Sequence, residues 1–175
     1  PQAAPGHELS FIDLDGDGLA DMVSFDGHRL TWWPSRGRDG FGPQPYQRTL
    51  SSDDRKGPPN PAAFHATQRV AVVFADMTGD GLSDAVRIEN GRVTYWPNLG
   101  RGRFGGAVVM RGSPQFDRPE LFDARKVLLG DADGTGTSDL VYVDGTRTRL
   151  WRNQAGNAFS EAELVPLPGN DGQSK

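Results

Sequence analysis

The sequence contains no cysteine, and no apolar stretch in it approaches the ~20 residues that a membrane-spanning helix needs. No disulfide framework can therefore hold the fold together, and no membrane span is expected. The first residues, 1–6, lack the basic and apolar regions of a signal peptide. Either the chain carries no targeting segment, or it belongs to a longer protein.

Recognisable catalytic motifs are also missing. The three histidines, His7, His28 and His65, stand at unrelated positions along the chain. No Gly-x-Ser-x-Gly turn, phosphate-binding loop or cysteine nucleophile occurs. We therefore expect that the protein is not an enzyme.

Lysine is scarce as well, with three copies against 16 arginines, and the formal net charge is −4. Ten of the 18 aspartates lie in three short loops, so the rest of the chain is net basic. Because the arginines form no dense run, we do not expect a nucleic-acid partner.

Glycine and proline, in contrast, are abundant, with 23 and 13 residues in a chain of 175. This composition favours many short strands joined by turns. The length suits one domain with a real core.

The most informative feature is an acidic loop that occurs three times. From the first Asp of each loop, a Trp follows after 20 residues and a Phe after 28. An internal repeat with a period of tens of residues indicates repeated supersecondary units. The loops are 13–21 (loop one), 76–84 (loop two) and 131–139 (loop three); the aromatic residues are Trp33, Trp96, Trp151, Phe41, Phe104 and Phe159.

Each loop offers the oxygen ligands that Ca²⁺ prefers, at positions 1, 3 and 5, with a backbone carbonyl at position 7 and an acid at position 9. Glycine at position 6 permits the sharp turn. The sequence therefore predicts up to three Ca²⁺ ions. The predicted ligands are Asp13, Asp15, Asp17, the carbonyl of Leu19 and Asp21; Asp76, Thr78, Asp80, the carbonyl of Leu82 and Asp84; and Asp131, Asp133, Thr135, the carbonyl of Thr137 and Asp139.

These loops are not EF-hands, because position 12 holds Ser24, Arg87 and Tyr142 in place of a bidentate Glu. The acid at position 9 is therefore expected to close the coordination shell. Loops two and three each replace one carboxylate with Thr, so their affinity for Ca²⁺ should be lower than that of loop one. The alternative is a set of ordinary Asp-Gly turns, but four carboxylates in one loop would repel each other without a cation.

Short apolar runs flank each loop, and hairpin signals such as Asn90-Gly91 follow. A third strand ends in the repeated Trp, and a fourth, weaker strand is predicted at 107–110 and 163–167. Four antiparallel strands per repeat form a propeller blade. We therefore predict an all-β fold of three β-propeller blades in one segment over 7–167, with blades at about 9–47, 68–111 and 126–167 and a disordered tail at 168–175.

The repeated Trp and Phe residues are predicted to be buried between blades, in preference to forming a stacking platform for sugars or bases. The connectors 48–67 and 111–125 are polar, and they are interpreted either as functional loops or as solvated ones.

The pattern of acidic loop, hairpin and closing Phe-Gly resembles the FG-GAP/VCBS repeat, the Ca²⁺-binding blade of integrin-α-like propellers. More narrowly, segments 74–84, 93–105 and 121–142 are similar to the B component of Tc insecticidal toxins and to Salmonella-type plasmid virulence proteins. The resemblance implies a β-propeller within a large secreted protein, which docks to a pore-forming component and gates a cocoon that holds a toxic enzyme. This chain lacks the long Tyr/Asp-rich repeat region of that cocoon.

The function expected is that of a Ca²⁺-binding, toxin-related interaction scaffold, secreted or extracellular, with another protein component as its partner. A carbohydrate-binding, lectin-like propeller is the alternative, and a sugar lyase is less favoured. Because natural propellers close with about 4–8 blades, three blades cannot form a ring alone. We predict a homodimer that closes a six-bladed ring, of which this chain is half. The alternative is that the chain is a piece of a longer propeller, whose other blades lie outside these residues.

Overall fold

The computed structural model of the chain describes residues 8–26, 29–50, 67–145 and 147–166. Helical structure there consists of short 3-10 turns, such as Gly37–Asp39 and Ala124–Lys126. None of the described residues forms a helix with the length and apolarity needed to cross a membrane. The three histidines and the predicted tail 168–175 lie outside the described residues.

Three four-stranded antiparallel sheets make up the described fold, and in each sheet the strands follow one another in chain order. We call the sheets blades one, two and three. The predicted all-β architecture of three four-stranded propeller blades is therefore confirmed. Blade one contains β1 (Glu8–Ile12), β2 (Asp21–Asp26), β3 (Arg29–Trp33) and β4 (Tyr46–Thr49); blade two contains β5 (Ala71–Ala75), β6 (Asp84–Glu89), β7 (Arg92–Trp96) and β8 (Val108–Val109); blade three contains β9 (Val127–Gly130), β10 (Asp139–Asp144), β11 (Arg147–Trp151) and β12 (Glu163–Val165).

The outermost strand of blade one, β4, completes the four strands predicted for that blade, although the sequence analysis named a segment for the fourth strand only in the other two blades. All four of its residues are exposed, so they carry no alternation of buried and exposed positions. The strand is held by pairing with β3 and by Tyr46, whose ring stacks on that of Trp32 at 5.2 Å.

Each blade has two apolar faces, because successive residues of a strand point to opposite sides. We call the face toward the preceding blade the front face, and the other the back face. The back of blade one packs on the front of blade two, and the back of blade two packs on the front of blade three. The first junction includes Val23, Leu30 and Trp32 against Ala85, Trp96 and Phe104; the second includes Val86, Ile88 and Tyr95 against Leu140, Trp151 and Phe159.

The strand registers show that each front face carries a row of three residues at equivalent positions, one from each of the first three strands. We call it the front row. It is Phe11, Met22 and Trp33 in blade one; Phe74, Ala85 and Trp96 in blade two; and Leu129, Leu140 and Trp151 in blade three.

The front face of blade one is open. Phe11 is 63% exposed and Phe41 is 38% exposed, whereas the equivalent Phe104 and Phe159 are 6% and 5% exposed. The expectation that all three repeated tryptophans are largely buried is wrong for Trp33, which is only partly buried. The physical reason is that no blade in the described part of the chain lies in front of it.

The connector between blades two and three was predicted to be either a functional loop or a solvated one. In the structure, its two aromatic residues pack into the core. Phe116 and Phe122 are 1% and 4% exposed, and their rings stack at 5.3 Å. Asn90 in the β6–β7 turn holds the connector by accepting from the Phe116 backbone N–H at 2.8 Å and donating to the Asp117 carbonyl at 2.7 Å. Most of the first connector, 51–66, lies outside the described residues.

Replacement of Trp96 by Ala is expected to lower the free energy of unfolding by about 3–5 kcal/mol, because the side chain is buried at the first junction and its loss leaves a cavity. Replacement of Leu99, which is 53% exposed in the following turn, serves as the control and should change stability little. Urea unfolding followed by circular dichroism measures both. Equal effects of the two substitutions would contradict the assignment of Trp96 to the junction.

Candidate metal centre

The three acidic loops occupy equivalent places, each between the first and second strands of its blade. Their glycines at positions 4 and 6 have left-handed backbone conformations, with φ of 85° at Gly16 and 83° at Gly18. Side chains rarely adopt such values, so glycine is required for the tight turn. The other two loops repeat this geometry.

The aspartate at position 1 organises each loop from the inside. In loop one, both carboxylate oxygens of Asp13 accept hydrogen bonds at 2.8 Å, one from the Gly16 N–H and one from the Gly18 N–H. Asp76 and Asp131 accept the equivalent bonds in loops two and three. These bonds gather the loop backbone around a carboxylate and hold the neighbouring side chains close together.

Carboxylates converge in two of the three loops. Asp13, Asp15 and Asp17 bring oxygens within 4.8 Å of one another, and Asp131, Asp133 and Asp139 do the same. In loop two, no such group of three acidic side chains forms among the described residues. The donor set of loop one, three carboxylates of which two are exposed to solvent, therefore fits a hard cation best.

The aspartate at position 9 has a role that the sequence did not reveal. Asp21, Asp84 and Asp139 are fully buried. In blade two, Asp84 accepts from the Met77 N–H at 2.9 Å and from the Asn98 N–H at 2.7 Å, which ties the loop to the turn after β7. The other two blades repeat both bonds. This carboxylate, predicted to close the coordination shell, joins an acidic cluster only in loop three.

Burial raises the pKa of two of these carboxyl groups, those of Asp84 and Asp21. Desolvation raises the pKa of Asp84 to about 6, with further contributions from the negative charges of Asp80 and Asp76 and with opposition from its two backbone hydrogen bonds. Desolvation likewise raises the pKa of Asp21. A cation next to these groups would favour their ionised forms.

Loop three is contacted by a positively charged side chain, Arg152, which sequence reasoning missed. Arg152 stands where blades one and two have Pro34 and Pro97. Its guanidinium lies 2.9 Å from Asp133 and 2.9 Å from Glu163. Hydrogen bonds from Thr135 and from Arg152 lower the pKa of Asp133. Because Arg152 already neutralises part of the cluster, loop three needs a bound cation less than loop one does.

Two asparagines, also missed by sequence reasoning, connect the loops of neighbouring blades. The Asn98 side chain donates to the Leu14 carbonyl in loop one at 3.1 Å, and the Asn153 side chain donates to the Met77 carbonyl in loop two at 2.9 Å. Both follow the repeated Trp by two residues, a position at which blade one has Ser35. The signal that could have found them is this fixed offset from the Trp.

Outside the loops, an open cleft of about 410 Å³ lies between the innermost strands of blades one and two. Its walls include Phe11, Phe25 and Phe74. A second, more polar groove of about 600 Å³ lies beside the connector and contains Arg118 and Arg147.

Comparison with known proteins places the repeats in context. Residues 13–86, which span loops one and two, match the FG-GAP-like repeat family. No curated protein matches the chain by sequence.

Among solved structures, the chain is similar to one in the Photorhabdus luminescens Tc holotoxin pore, with a TM-score of 0.76 and 32% identity over 96% of this chain and 7% of that one. It is also similar to TcdB2–TccC3 without the hypervariable C-terminal region, with a TM-score of 0.57, 20% identity and coverage of 93% of this chain and 12% of that one. A lectin from Agrocybe aegerita that recognises non-reducing terminal N-acetylglucosamine gives a TM-score of 0.65 and 23% identity over 91% of this chain and 38% of the lectin. The last two show the fold alone, and the chain spans only a small part of each protein.

In the metal-free protein, the raised pKa of Asp84 should make stability depend on pH. Because the folded-state pKa of about 6 exceeds the ordinary 3.8, the contribution of Asp84 is fully present below pH 3.8 and is lost as the pH rises through about 6. In EDTA, the melting temperature should therefore fall more in the wild type than in Asp84→Asn between about pH 5 and about pH 7.5. Asp39→Asn, at an exposed site outside the loops, is the control. Parallel pH profiles for the wild type and Asp84→Asn would contradict the raised pKa.

Proposed function

We propose that this chain, which carries FG-GAP-like repeats folded as β-propeller blades of the Tc-toxin type, is a protein-interaction module whose acidic loops bind Ca²⁺. The open front face of blade one is the observation that carries the interaction role. Residues equivalent to Phe11 and Phe41 are covered by a neighbouring blade at both internal junctions, so an exposed front row is a docking surface without its partner.

The preferred occupant of this surface is the back face of blade three from a second copy. That face carries Leu128, Val141 and Leu150, which lie opposite one another across the first three strands of the blade; Leu150 is already buried, with 6% exposure. Leu128 is 57% exposed, whereas its equivalent in blade two, Val73, packs into the second junction. Two chains related by a two-fold axis would bring six blades together, a number at which natural propellers close. The other candidate occupants of this surface are another toxin component and further blades of a longer chain. Both candidates agree with the much greater length of the similar Tc toxin chains, of which this chain covers 7% and 12%.

Calcium is the cofactor of this proposal. Loop one would hold it through Asp13, Asp15, Asp17 and the carbonyl of Leu19, because these groups supply hard oxygen donors beside solvent. Asp21 is committed to backbone hydrogen bonds and would support the loop from behind. A bound ion would supply positive charge that relieves the repulsion among the carboxylates. Loops two and three are weaker candidates, since loop two brings fewer carboxylates together and Arg152 forms an ion pair with Asp133 of loop three. A secreted or extracellular location belongs to the same proposal.

A lectin-like role is the second candidate, and one specific feature favours it. The cleft between blades one and two has the aromatic walls Phe11, Phe25 and Phe74, and aromatic rings stack on sugar faces. The likeness in fold to the Agrocybe aegerita lectin supports the same reading. Binding on a glycan array that is lost in Phe11→Ala would favour this role over the first. The absence of enzyme activity stays a prediction.

The calcium proposal predicts a rise in melting temperature with added Ca²⁺. A ligand that binds only the folded state stabilises it by about 2.7 kcal/mol at a hundredfold excess over Kd. Asp15→Asn should remove most of the rise, because Asp15 belongs to the loop-one cluster and accepts a long hydrogen bond, at 3.3 Å, from the Asp17 N–H. Asp39→Asn is the control, and calorimetry is the measurement. An identical melting temperature in EGTA and in millimolar Ca²⁺ would contradict the calcium proposal.

The dimer proposal predicts a particle of twice the 19.0 kDa chain mass by light scattering coupled to size exclusion. Phe11→Asp and Leu128→Asp should each yield monomers, because the first lies on the front of blade one and the second on the back of blade three. Leu99→Asp, at a comparably exposed apolar residue away from both faces, should leave the dimer intact. A 19.0 kDa particle at micromolar wild-type concentration, or a dimer that survives Phe11→Asp, would refute this assembly.

A further inference from the structure

The three acidic loops are in direct contact, and the contacts follow a pattern. A Cβ built on Gly16 of loop one would lie 2.7 Å from the Leu82 side chain of loop two, and one built on Gly79 of loop two would lie 3.2 Å from the Thr137 side chain of loop three. The residue at position 7 of each later loop therefore packs on the glycine at position 4 of the loop before it. The Ser138 N–H also donates to the Asp76 carbonyl at 2.7 Å.

Hydrogen bonds that involve the buried aspartates also connect the loops of neighbouring blades. Starting in loop two, the Met77 N–H donates to Asp84, and the Met77 carbonyl accepts from the Asn153 side chain of blade three. The Asn153 backbone N–H donates in turn to the buried Asp139, which also holds loop three through the Ala132 N–H.

The first junction repeats the arrangement one blade earlier. Leu14 donates to Asp21 and accepts from the Asn98 side chain, while the Asn98 backbone N–H donates to Asp84. One unbroken series of hydrogen bonds thus runs from loop one to loop three. Each link that crosses a junction is an asparagine carboxamide.

The blade without a preceding neighbour shows what the asparagine adds. Ser35 occupies the equivalent position and keeps the backbone bond to Asp21, and its hydroxyl accepts from the Gly37 N–H at 3.3 Å. At the opposite end, Ala132 of loop three is exposed, whereas the equivalent Leu14 and Met77 are fully buried beneath the following blade. Serine at this position therefore forms hydrogen bonds within its own blade, whereas asparagine also forms a hydrogen bond across the junction.

We propose that neighbouring loops are coupled in pairs, in which Asn98 positions loop one and Asn153 positions loop two, so that the blade after a loop sets its cation affinity. The cation part of this inference rests on the calcium role proposed above. The residue held by each asparagine lies between positions 1 and 3 of its loop, the first two ligand positions. Movement of its carbonyl displaces both of those side chains.

Amide hydrogen exchange of the full chain, followed by NMR without added metal, tests the coupling. Asn153→Ser should speed exchange of the Gly79 and Gly81 amides of loop two about tenfold, a change typical of losing one or two hydrogen bonds, and should leave those of loop one unchanged. Asn98→Ser should do the reverse, with faster exchange at Gly16 and Gly18. Both substitutions introduce the residue that blade one already uses.

Asn157→Ser is the matched control, because that side chain bonds only within its own turn. A uniform rise in exchange across all three loops would show general destabilisation and would overturn the proposal, as would unchanged exchange in both variants. If one variant does not fold, the other decides the question, because the two junctions make separate predictions.

Calcium titration followed by the same amides supplies the second readout. Asn98→Ser should weaken Ca²⁺ binding at loop one about tenfold, and Asn157→Ser should not change it. If wild-type loop one does not bind Ca²⁺, the proposed calcium role fails, while the metal-free exchange still decides whether the loops are coupled. Unaltered loop-one affinity in Asn98→Ser, with a wild type that binds, would overturn the coupling of cation affinity to the next blade.

Discussion

The packing of one blade's front face on the back face of the blade before it is the contact on which the rest of this structure depends. A four-stranded sheet with two apolar faces cannot bury both by itself, and here each junction covers one face of each neighbour. In the described part of the chain, two junctions therefore leave the front of blade one and the back of blade three without a neighbouring blade. Exposed Phe11 and Leu128 mark those faces. The interaction role follows from this geometry, since the exposed residues are the counterparts of buried ones.

The acidic loops lie at the same junctions, and this placement joins their chemistry to the packing. The buried aspartate at position 9, such as Asp84, fixes its loop to the turn that carries the junction asparagine. A buried carboxylate is costly unless its oxygens are hydrogen-bonded, and both oxygens of Asp84 are. Cation binding near such a group and docking of the next blade would therefore stabilise the same local structure. This connection makes a Ca²⁺-dependent interaction module physically coherent.

The repeat made much of this architecture predictable from the sequence. The fixed spacing from loop to Trp to Phe identified three equivalent blades, and the apolar runs that flank each loop identified the first two strands of each blade. The position of each blade within the stack was not predicted, because Trp33 and Trp96 lie in similar local sequences although a described blade lies in front of Trp96 and none lies in front of Trp33. The buried Phe116 was missed because it lies in a polar connector without periodicity. The offset from the Trp marks the position of Asn153, but its bond to Met77 and the ion pair of Arg152 with Asp133 join residues that are distant along the chain, and spacing does not reveal such contacts.

The central claim is that the open front face of blade one is a junction that lacks its second blade. Hydroxyl-radical footprinting over a range of protein concentrations tests it most directly. The account predicts that Phe11, Phe41 and Leu128 become protected together as concentration rises, while Phe104 is protected throughout because its junction is internal. Oxidation of Phe11 and Leu128 that stays constant from dilute to concentrated solution would contradict the claim.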